Sequence, residues 1–184
     1  MSFSGNQYPS DEGFDLDTKG QVHTYSTVNA ALNAGTDTFV LQSDSGETTG
    51  LKWSDPENLK HAVALEIAAS DETTALTTGT AKVTFRMPYA MTLNAGTDGV
   101  RGGLTTAGTG AALLTVDINQ GGSSILSTKL TFDATETETV NAATPVVIGT
   151  TALTDNAEIT VDIDTADTGG VAAGLKIILI GDLT

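Results

Sequence analysis

The sequence predicts an all-β protein: an N-terminal arm and a short β-hairpin segment, followed by an antiparallel, jelly-roll-like β-sandwich. Three observations carry that expectation. Apolar residues recur at every second position in run after run, the period of a half-buried strand. Clusters of Gly, Asn, Asp, Ser and Thr separate those runs at spacings of about 8–12 residues, the rhythm of sandwiches and barrels. Thr, Ala and Gly (20 residues) dominate the composition; β-branched Thr suits the solvated side of a sheet, and no helical period is sustained.

Residues 1–20 are polar with isolated aromatics, Phe3, Tyr8 and Phe14. They read either as a flexible tail or as an arm that docks through those rings. In residues 21–57 the run Thr38–Gln42 reads as a strand, Asp44–Gly50 as a turn cluster and Leu51–Trp53 as a returning strand. An isolated hairpin is marginal in water. With about ten large apolar side chains the segment is too small for a core of its own, so Phe39, Leu41 and Trp53 are expected to bury against the rest of the chain or against copies of it. Thr27–Gly35 is the one stretch with a short helical signal, ending at Gly35. Asp55-Pro56 marks a boundary, and residues 58–184 form the expected sandwich. Its strands are anchored by Val63, Leu65 and Ile67; Val83, Phe85 and Met87; Leu114, Val116 and Ile118; Leu126 and Leu130; Val146–Ile148; Ile159, Val161 and Ile163; and Leu175–Ile180.

Charge narrows the function. The chain carries 23 Asp+Glu against 8 Lys+Arg, a formal net charge of −15. Nucleic-acid binding needs clustered cations to replace phosphate counterions, so nucleic acid is not an expected partner, and anionic membrane surfaces are disfavoured likewise. The apolar run Leu175–Ile180 falls far short of the roughly 20 residues of a membrane helix, so no membrane insertion is expected. With no Cys, disulfides, thiolate metal sites and Cys nucleophiles are excluded. Residues 1–6 lack the basic start and apolar core of a cleavable signal, which implies synthesis in a cytoplasm.

No catalytic constellation stands out, and the expectation is a non-enzyme without a cofactor. The two histidines, His23 in an expected loop and His61 at a strand start, have no nucleophile motif around them. Asp133, Glu136 and Glu138, or Asp162, Asp164 and Asp167, could supply a glycosidase pair, and the second group could form a hard-cation site. Alternation instead sets Asp162 and Asp164 opposite Val161 and Ile163, as charges on a solvated strand face that discourages edge pairing. Gly99–Gly103 lacks the strand–loop–helix context of a phosphate loop and reads as a flexible display loop. Lys82–Tyr89 points Lys82, Thr84 and Arg86 one way before Pro88; because Arg and Tyr are favoured at interfaces, Arg86 and Tyr89 mark a candidate contact strip.

Gly35-Thr36-Asp37-Thr38-Phe39-Val40-Leu41-Gln42-Ser43-Asp44 followed by Thr49-Gly50-Leu51-Lys52-Trp53 resembles a segment of tailed-bacteriophage fibre and virion structural proteins. Lys82–Tyr89 and Leu114–Asn119 are similar to strands of the β-sandwich head that follows it. The resemblance spans most of residues 32–184. It implies a homotrimer, with N-terminal strands of three chains wound together and Phe3, Tyr8, Phe14, Phe39, Leu41, Trp53, Arg86 and Tyr89 as partner or trimer contacts. It further implies a capsid-decoration or head-fibre protein on the exterior of the virion, anchored to the major capsid or another virion protein through the arm. A short tail fibre or tail-tip adhesin, binding a host-surface glycan or protein, is the alternative. A carbohydrate-binding or hydrolytic module stands third, since one Trp and three Tyr offer few sugar platforms.

Overall fold

A computed structural model describes residue 16 and residues 18–25, 29–56 and 61–184. The chain divides into two compact units, residues 1–60 and 61–184. Both are built from antiparallel β-structure.

The described residues of the first unit form two hairpins. Strands β1 (Val22–Tyr25) and β2 (Asn29–Leu32) pair with His23 opposite Ala31. Strands β3 (Val40–Ser43) and β4 (Leu51–Ser54) pair with Leu41 opposite Trp53. The second hairpin is the one the sequence predicts. The first corrects two expectations: His23 lies in a strand, and the short helical signal at Thr27–Gly35 covers a strand at Asn29–Leu32. Four residues are too few for helix propensity to outweigh a cross-strand ladder. Asp44 tightens the β3–β4 turn. It accepts an N–H from Gly46 at 2.8 Å and pairs with Lys52 at 2.5 Å.

The second unit is a sandwich of two main antiparallel sheets. One contains β5 (Ala62–Ala68), β16 (Lys176–Leu183), β7 (Met91–Leu93), β8 (Val100–Gly103) and β14 (Ala152–Leu153). Strand β16 has β5 on one side and β7 and β8 on the other; β14 continues from β7. The other contains β6 (Gly79–Arg86), β15 (Glu158–Thr165), β9 (Leu114–Gln120), β10 (Ser123–Ser124) and β12 (Leu130–Phe132), ordered β6-β15-β9 with β10 and β12 beyond β9. A small ladder joins β11 (Leu126–Thr128) to β13 (Val147–Ile148).

Alternation fills the space between the sheets. Val116, Ile118, Ile159, Val161, Leu175, Ile177 and Leu179 are sealed from solvent. Met87, Met91, Val100, Leu130 and Phe132 complete the core. Two expectations change here. Ser124–Phe132 is three short strands rather than one, because Ser124 Oγ and a register shift in β11 break the ladder. Gly99–Gly103 is no display loop: after a 3₁₀ turn at Gly96–Asp98 it becomes β8, paired along β16. Glycine is required there by packing. A Cβ on Gly102 would stand 2.6 Å from the Phe132 ring, so the flexible-looking sequence marks close approach of the two sheets.

Candidate interaction surfaces

The two faces of the sandwich differ chemically. On the outside of the β6-β15-β9 sheet, Asp117 and Asn119 are buried among polar neighbours. The Asp117 carboxylate accepts Ser124 Oγ–H at 2.6 Å and lies 3.0 Å from the Lys129 ammonium, which also contacts Asp164. Hydrogen bonds to Asp164 and then Asp117 raise the Lys129 pKa above its ordinary value. Asp162 accepts the Ala81 N–H at 2.7 Å and the Asn119 amide at 3.1 Å.

Asp167 corrects the reading of this cluster as one solvated face, because it is buried in a loop. Burial opposes its ionisation, but N–H donors from Gly110, Gly169 and Val171 prevail and hold its carboxyl below the usual range. The three carboxylates are thus directed to different partners. Among the described residues no group of three His, Asp or Glu side chains is arranged to hold a metal ion. Asp133 accepts the Ala143 N–H at 2.8 Å as a loop brace, with Glu136 and Glu138 exposed nearby in sequence.

The outside of the β5-β16-β8 sheet is mixed, with Glu66, Arg101, Lys176 and Asp182 around a small apolar patch. Ile178 and Ile180 lie half-buried on it, beside the exposed Ala62, Ala64 and Ala68 of β5. Val140 is 41% exposed and, with Ile178, Arg101, Gly103 and Glu138, lines a shallow cavity of about 160 Å³. Sequence reasoning missed this face. Its signal was the run Ile177–Ile180, since a strand segment apolar on both sides reads as continuous rather than alternating.

The first unit presents a second surface. Among its described residues no apolar side chain is buried; the buried ones are Thr24 and Ser54. All of β3 is exposed, with Val40 at 37% and Leu41 at 40%. Trp53 is half-buried. Its Nε1–H donates to the Asn33 carbonyl at 2.6 Å, and its Cγ would lie 2.5 Å from a Cβ at Gly35, so the indole covers that turn. Thr38 stands at φ +79°, a costly conformation for a β-branched residue.

The structure therefore brings Leu41 and Trp53 together across one ladder, with Phe39 half-buried just before it. Arg86 and Tyr89 lie in the second unit. Arg86 alternates outward with Lys82 and Thr84, but its guanidinium is engaged by Glu158 at 3.2 Å and the Asn156 carbonyl at 3.1 Å. Tyr89 is half-buried in the bend after β6. Phe3, Tyr8 and Phe14 lie outside the described residues. Among the described residues no helix is long and apolar enough to cross a membrane. No protein-family model matches the chain, and no curated protein aligns with it.

Proposed function

We propose that the chain is a structural protein of a bacteriophage virion: a homotrimeric capsid-decoration or head-fibre protein on the outside of the particle. In this reading residues 1–60 bind copies of the chain and the particle, and residues 61–184 form the displayed head. The observation that carries it is that the described residues of the first unit bury no apolar side chain. Two hairpins whose described apolar side chains are all partly or wholly exposed are not stable by themselves. Val40, Leu41 and Trp53 have the composition of an association surface. The polar outer face of the β6-β15-β9 sheet, with its carboxylates individually engaged, fits a surface held in water at a net charge of −15.

Attachment and association are separable. A chain lacking residues 1–20 is expected to associate normally but not to bind particles. Undiminished attachment would sink the arm's role. The apolar patch of Val140, Ile178 and Ile180 supports the second reading, a tail-fibre or tail-tip adhesin that binds a host-surface glycan or protein. Labelling of intact particles separates the two: signal over the whole shell supports decoration, and signal confined to the tail supports the adhesin.

A further inference from the structure

The outermost strands of the two sheets are treated differently. Strand β6 carries Lys82 and Arg86 outward and is bent by Ala81, at φ +50°, with a register shift opposite Val161 and Ile163. Charge and bulging are the ordinary ways of keeping a free edge from pairing. Strand β5 has no bulge and less charge. Its seven residues, Ala62–Ala68, contain one charge, Glu66, and pair with β16 without a shift.

The direction of its free backbone groups follows from the ladder. The Ala69 N–H donates to the Leu175 carbonyl and the Leu183 N–H to the His61 carbonyl. Odd-numbered residues of β5 therefore bond β16, and in antiparallel geometry the even-numbered ones point away. The N–H and C=O groups of Ala62, Ala64, Glu66 and Ala68 face the edge on which no described strand pairs. Three of those four side chains are methyl groups, which leave room for another strand. On the core side Val63, Leu65 and Ile67 are only half-covered.

We infer that this edge pairs with the β5 edge of a second copy, antiparallel and centred on Leu65. The edge is nearly self-complementary about that residue. With Leu65 opposite Leu65, Val63 meets Ile67, Ala62 meets Ala68, and every outward N–H and C=O of the two strands finds a partner. The half-covered apolar residues of each copy then lie against those of the other. Charge weighs against one neighbouring register. Each Glu66 falls opposite an Ala64, whereas the register shifted to oppose Glu66 to Glu66 sets like charges together. Identical edges meeting in this way form a closed, isologous contact. The inference concerns residues 61–184 and does not depend on the virion reading.

Single cysteines in the full-length chain test the register, because the protein has none of its own. Opposed Leu65 positions are about 4.5 Å apart at Cα, within disulfide reach, whereas two Ile67 positions are separated by about 13 Å along the strands. Mild oxidation should cross-link Leu65→Cys about tenfold more than Ile67→Cys, and a mixture of Val63→Cys and Ile67→Cys chains should cross-link to each other. Ala64→Pro removes an outward N–H but no bond to β16. It should abolish the Leu65→Cys product and leave the melting temperature unchanged. Amide exchange needs no substitution: protection of Ala64, Glu66 and Ala68 should rise with protein concentration. Equal cross-linking at 65 and 67, indifference to Ala64→Pro, or free exchange of those amides at all concentrations would overturn the pairing. A trimer that ignores position 65 contradicts this inference alone, and a chain found on no particle but cross-linked at 65 contradicts the virion reading alone.

Discussion

Residues 61–184 seal Ile118, Ile159, Leu175, Ile177 and Leu179 between two sheets, while the described residues of the first unit bury no apolar side chain at all. Both units are antiparallel β-structure made with similar residue types. The difference is closure. In the second unit each sheet covers the other's apolar side, so alternation along a strand becomes burial. In the first, alternation in β3 and β4 gives half-exposed Leu41 and Trp53, because the described hairpins provide no second layer. The second unit is therefore expected to be stable at any dilution, and the first to draw its stability from other copies.

The largest effect expected is in the core. Leu179→Ala, on the strand shared by β5 and β8, should destabilise the second unit by about 3–5 kcal/mol at every protein concentration, read by denaturant melts. Gly102→Ala should cost about 1–3 kcal/mol there, since its Cβ meets the Phe132 ring. Lys129→Met leaves Asp117 without its ammonium. Solvent at the half-exposed lysine limits that loss to about 1–2 kcal/mol. A concentration-independent effect of Trp53→Ala on the first unit would break the comparison.

Acid should act through Asp71. N–H groups of Thr74 and Thr73 hold its carboxyl at about 2, below the ordinary 3.8. A lowered folded pKa gives stability that is present above the unfolded value and lost as pH falls from 3.8 through about 2. Asp71→Asn should flatten the melting temperature over that window. The smallest effect is in the first unit: Thr38→Gly relieves a positive φ and offsets part of that gain by loosening the unfolded chain, for a net change of about 1 kcal/mol or less.

The fold was legible wherever alternation was strong. Val63-Leu65-Ile67, Val83-Phe85, Val116-Ile118, Ile159-Val161-Ile163 and Ile177-Leu179 lie on the strands their spacing predicts. It failed where a tertiary partner decides. Gly99–Gly103 has no side-chain period to read, yet Phe132 and β16 make it a strand. Asp167 belongs by spacing with Asp162 and Asp164, but the chain turns and gives it backbone donors instead. The hairpin's small size pointed to Leu41 and Trp53, which the structure pairs across one ladder and leaves partly exposed. The small apolar patch at Ile178 and Ile180 was not legible, because the run Ile177–Ile180 records a strand segment apolar on both sides without saying what covers the second side.

The central claim is that the first unit is completed by other copies of the chain. Sedimentation equilibrium of the Ala64→Pro chain, which lacks edge pairing at β5, tests it most directly. The account predicts a species of three times the 18.8 kDa chain mass down to micromolar concentration, reduced to the single-chain mass by Leu41→Glu while the melt of residues 61–184 stays in place. A chain that remains at 18.8 kDa with the amides of Val40–Ser43 and Leu51–Ser54 protected from exchange would contradict it, because the first unit would then be stable alone.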